Sequence, residues 1–234
     1  MTAQIISGTE MARTIRTALA DEAAQLKADG VEPGLAVILV GDDPASHSYV
    51  KGNQKACAEV GIRSFLYTFP AAIDEETLLA KIRELNVDPA VHGILVQLPL
   101  PDHICEWSVI ETIAPEKDVD GFHPINVGKM MIGQRAFLPC TPHGILVMVQ
   151  SAGIDIAGKH VVVVGRSNIV GKPVGQLFLR EHATVTYTHS KTPDLAAITR
   201  QADILTRRCR QGAPHRPGTR QARGGRHRRR RQPA

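Results

Sequence analysis

The sequence predicts an α/β protein built on parallel sheets. Two observations carry this. Short apolar runs, LAVILVG (35–41), SFLYTF (64–69), GILVQLPLP (93–101) and KHVVVVG (159–165), are bounded by turn-forming residues, as strands buried on both faces require. The stretches between them are long enough for the helices that connect parallel strands.

Taken in order, residues 8–29 are expected to form an amphipathic helix, with Met11, Ile15, Leu19 and Leu26 near a 3.6-residue period. The first strand ends at Gly41. DDPAS follows as a turn, and Pro44 and Ser46 suit the start of a helix reaching about Val60. SFLYTF is the second strand, 74–86 a second helix, and 93–101 a third strand stopped by proline. KDVDGFHPINVGK (117–129) has no period and many turn formers, the character of a segment that carries function. CTPHGILVMVQSAG (140–153) is expected to be helical, and 159–190 reads as strand, tight turn, helix, strand, a complete βαβ unit. The expected division is a first domain over 1–139, the opening part of a second over 140–206, and a tail over 207–234.

The formal charge of +5 belongs to that tail. Residues 207–234 hold eleven arginines and no Lys, Asp or Glu, leaving 17 basic and 23 acidic residues in 1–206. The tail also lacks Val, Ile, Leu, Phe, Tyr and Trp, so it has nothing to offset the entropy of folding and is expected to be disordered. A nucleic-acid role is ranked low and confined to non-specific contact through the tail. No run approaches the roughly 20 apolar residues of a membrane span, and the acidic N-terminal stretch has no signal-peptide core. The four cysteines show no metal-ligand or disulfide spacing, so no metal is expected and the plain reading is free cytoplasmic thiols.

Several segments carry possible chemistry. In VVVVGRSNIVGKPV (161–174) a buried strand enters Gly165, a polar turn with Arg166 and Ser167, and then Gly171 and Pro173 at a helix start. Glycines there allow close backbone approach to a phosphate, and a guanidinium and a hydroxyl suit an additional one, favouring NADP over NAD. The spacing is not the standard dinucleotide fingerprint, and an ordinary βα turn explains it equally well. Tyr49, early on a helix, suits stacking on a flat ligand, or is simply a half-buried helix residue. Gln97 closes a parallel strand on the side where such sheets bind ligands. Asp118 and Asp120 suit the N–H groups of a heterocycle, or serve as turn formers.

Five motifs in order, P-A-S-x-x-Y-V, G-I-L-V-Q-L-P-L-P, K-D-V-D-G-F-H-P-x-N-V-G, P-C-T-P-x-G and G-R-S-x-I-V-G-x-P, resemble the bifunctional methylenetetrahydrofolate dehydrogenase/methenyltetrahydrofolate cyclohydrolase family over about residues 3–205. The resemblance implies an N-terminal folate domain and a truncated Rossmann-like NADP domain. It also implies a cytoplasmic homodimer that oxidises 5,10-methylenetetrahydrofolate with NADP and hydrolyses the methenyl product to 10-formyltetrahydrofolate. Tyr49 would then stack on the aminobenzoyl ring, Asp120 would hold the pterin, and Gln97 would position the reacting centre. Gly165, Arg166, Ser167 and Gly171 would hold the cofactor, with Arg166 and Ser167 at its 2′-phosphate.

Two departures bear on activity. The family places a catalytic Lys four residues after the Tyr, and this chain has Asn53. Lys51 and Lys55 stand two residues to either side, which on a helix turns them roughly 200° away. The tail replaces the family's continuation, yet codons for residues 218–233 exist that, read one base later, translate as GRVKPGAVVIDVGVN, close to the family's K-P-G-A-V-V-I-D-V-G-x-N segment. The expectation is a frameshift near residue 206. A catalytically inactive folate-binding or subunit-associating relative is the alternative function.

Overall fold

The computed structural model describes residues 5–207, and among them the chain forms two three-stranded parallel sheets with helices packed against them. The tail expected to be disordered lies outside the described residues, apart from Arg207.

The first sheet has the order β2-β1-β3, with β1 (Gly34–Val40) central, β2 (Arg63–Phe69) on one side and β3 (Gly93–Val96) on the other. Ala36 lies between Phe65 and Ile94, and Ile38 between Tyr67 and Val96. Two helices make the crossovers. In α2 (Pro44–Val60), Val50 packs against Val37 and Leu39 on one face. In α3 (Glu75–Val87), Leu78, Leu79, Ile82 and Leu85 cover the other face. The covering of both faces explains why β1 is apolar without alternation. A long helix α1 (Gly8–Ala28) precedes the sheet, capped by Ser7, but buries only Ala23; Ile15, Leu19 and Leu26 of the expected apolar stripe stay exposed.

The second sheet repeats the plan with order β5-β4-β6, formed by β4 (His160–Val164), β5 (Thr184–Thr188) and β6 (Ile204–Arg207). Its core joins Val161 and Val163 to Val174, Leu177 and Phe178 of α7 (Gly171–Arg180) and Leu146 of α6 (Cys140–Ser151). Met130 of α5 (Pro124–Met131) packs into this second core.

Both orders place the central strand first in sequence, with successive partners added on opposite sides. Strand order therefore reverses at β1/β3 and at β4/β6. Crevices at the carboxyl ends of such strand pairs are where open α/β sheets bind ligands.

The third strand is shorter than the expected 93–101. Gln97 N still donates to Ile38 O, but Pro99 and Pro101 have no N–H to continue the ladder, and the Leu98–Pro99 peptide is cis. Helices α4 (Glu106–Thr112), α5 and α8 (Leu195–Thr199) and strand β6 are not among the elements expected from the sequence. These run for four to eight residues, too few for a period to declare itself. Among the described residues, no helix is long and apolar enough to cross a membrane.

Candidate active site

The first crevice is built by three segments, and α2 is the most regular of them. Asp43 caps the helix by accepting from Ser46 N at 2.7 Å, Pro44 occupies its first turn, and Gly61 closes it in the left-handed region at φ +79°. Val50, Cys57 and Val60 define the buried face. Tyr49 therefore stands at the rim, 58% exposed, with Asn53 half-buried one turn later. Lys51 is exposed, and Lys55 reaches its own neighbour Glu59 at 3.9 Å, so neither stands in for a basic group at 53.

The second segment is the turn 117–123, held at several points. Ile94 N donates to Lys117 O, and Asp118 bridges alongside Ile94 as a parallel extension beyond β3. Lys117 Nζ donates to the carbonyls of Leu85 and Asp88 at the end of α3. Val119 sits over Gly93, where a side chain would overlap it. Gly121 adopts φ +66°, and a Cβ there would come within 2.7 Å of Phe137 O. Asp118 is buried and accepts from His123 N and Asn126 Nδ2, each at 2.9 Å, and from Phe122 N at 3.3 Å.

Asp120 has no such set of donors. Burial pushes its carboxyl up to about 6, and repulsion from the Asp118 carboxylate adds to the effect. Tyr49 and Cys140 are close enough to feel it. The Tyr49 hydroxyl is raised by burial, then by Asp120 and Cys140; the Cys140 thiol is raised by burial, then by Asp120 and Asp118. Cys140 Sγ lies 3.8 Å from Val119 O, tying the start of α6 to the turn. Tyr49 and Asp120 are thus brought together, and Cys140, which sequence reasoning passed over as a scattered thiol, joins them. Its signal was the P-C-T-P motif at a helix start. Gln97, the third segment, emerges at the β1/β3 crevice with its Nε2 donating to Leu98 O at 2.6 Å, which leaves Oε1 and one N–H for a ligand.

At the second crevice, Gly165, Ser167 and Gly171 line a small pocket with Thr206 and Arg207 from the end of β6. Gly165 takes φ +132°, and a Cβ on Gly171 would lie 2.6 Å from Gly165 O, so the turn closes on itself. Ser167 Oγ accepts from Val170 N and Gly171 N, and Ser167 O from Lys172 N. The first-turn donors of α7 are therefore already engaged. Among the described residues, the N–H groups of Arg166, Ser167, Asn168 and Ile169 donate to no backbone or side-chain acceptor, which suits them to a phosphate. Arg166 makes no ion pair among the described residues and is separated from Ser167: it lines a larger neighbouring cleft of about 940 Å³, with Lys172 and Tyr187 on its wall and Trp107 and Phe122 opposite. Strand β5 runs into His189, Ser190 and Lys191. No carboxylate stands where NAD-binding folds hold the ribose 2′-hydroxyl. That run was readable in the sequence and was missed.

A family model described as the catalytic domain of tetrahydrofolate dehydrogenase/cyclohydrolase matches residues 6–120, and one for its NAD(P)-binding domain matches 139–214. The chain belongs to the tetrahydrofolate dehydrogenase/cyclohydrolase family. It is 89% identical over 205 residues to the bifunctional protein FolD of Geobacillus thermodenitrificans, covering 88% of this chain and 72% of that one. The crystal structure of the bifunctional FolD enzyme from Campylobacter jejuni superposes with a TM-score of 0.85 at 49% identity, over 86% of this chain and 72% of the other. The Trypanosoma brucei dehydrogenase-cyclohydrolase, solved with NADP and an inhibitor, gives 0.84 at 40% identity, over 88% and 71%. The parallel-sheet architecture and the NAD(P)-binding second unit are those of the family.

Proposed function

We infer that this chain carries the site of an NADP-dependent methylenetetrahydrofolate dehydrogenase and methenyltetrahydrofolate cyclohydrolase. The observation that carries the reading is Asp120, a half-buried carboxylate without compensating donors, next to Tyr49 at the β1/β3 crevice. A carboxylate so placed is short of N–H partners, and the amino-pyrimidine edge of a pterin supplies two in one plane. At neutral pH Asp120 is mostly ionised and accepts both. Tyr49 offers its open ring face to the aminobenzoyl group, and Gln97 directs its free Oε1 and N–H toward the one-carbon bridge.

The loop 166–169 and Gly171 fit a dinucleotide through the free N–H groups and close backbone approach described above. Arg166, Ser167 and Lys191 are placed to favour NADP, with Ser167 limited to donating, since its oxygen already accepts twice. When bound, the nicotinamide ring supplies the hydride acceptor. The protein's share is to hold folate and cofactor in register and to limit the access of water to Asp120.

Asn53 separates the two activities. Hydrolysis of the methenyl bridge needs a group that assists water attack and proton movement, and an amide has no titratable proton. The dehydrogenase step needs orientation rather than a base at 53. Assembly as a homodimer belongs to the same proposal.

The test is a paired assay on the full chain. Methylenetetrahydrofolate with NADP should produce methenyltetrahydrofolate, seen by its near-ultraviolet absorbance, and supplied methenyltetrahydrofolate should hydrolyse little above the buffer rate. An absence of tetrahydrofolate binding by calorimetry would remove the reading.

A further inference from the structure

We propose that Asp118 is the positioning residue for Asp120, holding the turn that aims it into the folate site. The proposal rests on the reading of Asp120 as the pterin-binding carboxylate.

Asp118 and Asp120 are separated by one residue and have opposite surroundings. Asp118 is 2% exposed and gathers two backbone N–H groups and the Asn126 amide. Those donors lie beyond Asp120 in sequence, at the start of α5, so the Asp118 carboxylate closes a ring around the residues that carry Asp120. Asn126 Nδ2 also donates to Pro115 O at 2.8 Å, linking the ring back to the segment before the turn. His123, whose own N–H goes to Asp118, caps α5 by accepting from Ile125 N. The Asp118 side chain thus ties the turn to the start of the following helix, while its backbone runs alongside Ile94 of the sheet. The clamps at Gly93 and Gly121 fix the height of the turn over the sheet.

Asp118 also acts through space. The titratable groups that bear on Asp120 are Asp118 on its own turn, Tyr49 from α2 and Cys140 from α6. Of these, only Asp118 supplies a negative charge that favours the protonated form of Asp120.

The experiment compares the full chain with its Asp118→Asn variant in two measurements. One is calorimetric affinity for tetrahydrofolate. The other is the titration midpoint of Asp120, followed by carbon-detected NMR of the aspartate carboxyls and assigned with Asp120→Asn. The expected result is a loss of affinity of about tenfold or more, as misplacement of a contact group entails, together with a midpoint that falls below the native value of about 6. A residue with a merely structural part would lower thermal stability and leave the affinity of the folded chain where it was. Affinity equal to native overturns the proposal, whatever happens to the midpoint. If Asp118→Asn does not fold, Asn126→Ala removes one donor from the ring and should still weaken tetrahydrofolate binding several-fold; affinity equal to native overturns the proposal. Should the native chain fail to bind tetrahydrofolate, the reading of Asp120 falls, and the titration still decides whether Asp118 governs it.

Discussion

Tyr187 of β5 lies across Gly175 of α7, and its hydroxyl donates to Lys172 O at 2.9 Å in the first turn of that helix. A methyl group on Gly175 would overlap the phenol. The contact sets the helix against the strand and, through it, the turn from Gly165 to Gly171. Gly175→Ala should destabilise the protein by about 1–3 kcal/mol through overpacking, read as a lower urea midpoint, and should weaken NADP binding. Tyr187→Phe loses only the hydrogen bond, about 1 kcal/mol. Equal stabilities for Gly175→Ala and native protein would show that Tyr187 is free to move aside.

The raised Asp120 carboxyl makes stability depend on pH in a defined direction. Its folded value, about 6, lies above the ordinary 3.8, so the folded state binds the proton more tightly. The resulting stability is fully present below about 3.8 and is lost as pH rises through about 6. Ionising Asp120 at pH 7.5 therefore costs on the order of 2–3 kcal/mol. Asp120→Asn should be more stable than native at pH 7.5 and should lose that advantage on acidification, while binding tetrahydrofolate poorly. Denaturant melts at pH 4 and 7.5 check both signs. A variant less stable than native at the higher pH contradicts the assignment.

Asn53→Lys should restore methenyltetrahydrofolate hydrolysis. General acid–base assistance is worth about 10²–10⁴-fold, and the variant should gain within that range while its dehydrogenase rate changes little. Position 53 is half-buried one turn from Tyr49, so a lysine there reaches the same crevice. Robust hydrolysis already present with Asn53 would mean that another group moves the proton.

Arg166→Ala should reduce the preference for NADP over NAD. A charge-assisted contact to a phosphate is worth about 1.5–3 kcal/mol, so NADP should bind roughly 10–100-fold less tightly, with NAD binding unchanged. Comparable losses for both cofactors would place Arg166 on the shared part of the dinucleotide instead.

The elements with concentrated signals were legible in the sequence. Strand β1, helix α2 with its first-turn proline, and the β4–α7 turn all stand close to where the sequence places them. Tyr49, Gln97 and Asp120 could be grouped as candidates only through the family resemblance, since no one motif carries the strand order that forms the crevice. Their individual environments were not legible. Nothing in D-V-D tells which aspartate is ringed by donors and which is left short of them, since the donors Asn126 and His123 belong to a helix with no visible period. Arg166 and Ser167 read as a pair for the same reason, although Ser167 turns inward to cap α7 while Arg166 faces the wider cleft.

The raised carboxyl of Asp120 sets folding and recognition against each other in one side chain. The ionised form, which weakens the fold above about pH 6, is the form able to accept two N–H groups. The chain is therefore least helped by this residue under the conditions in which its site is ready, and a bound ligand that supplies those donors offsets the difference.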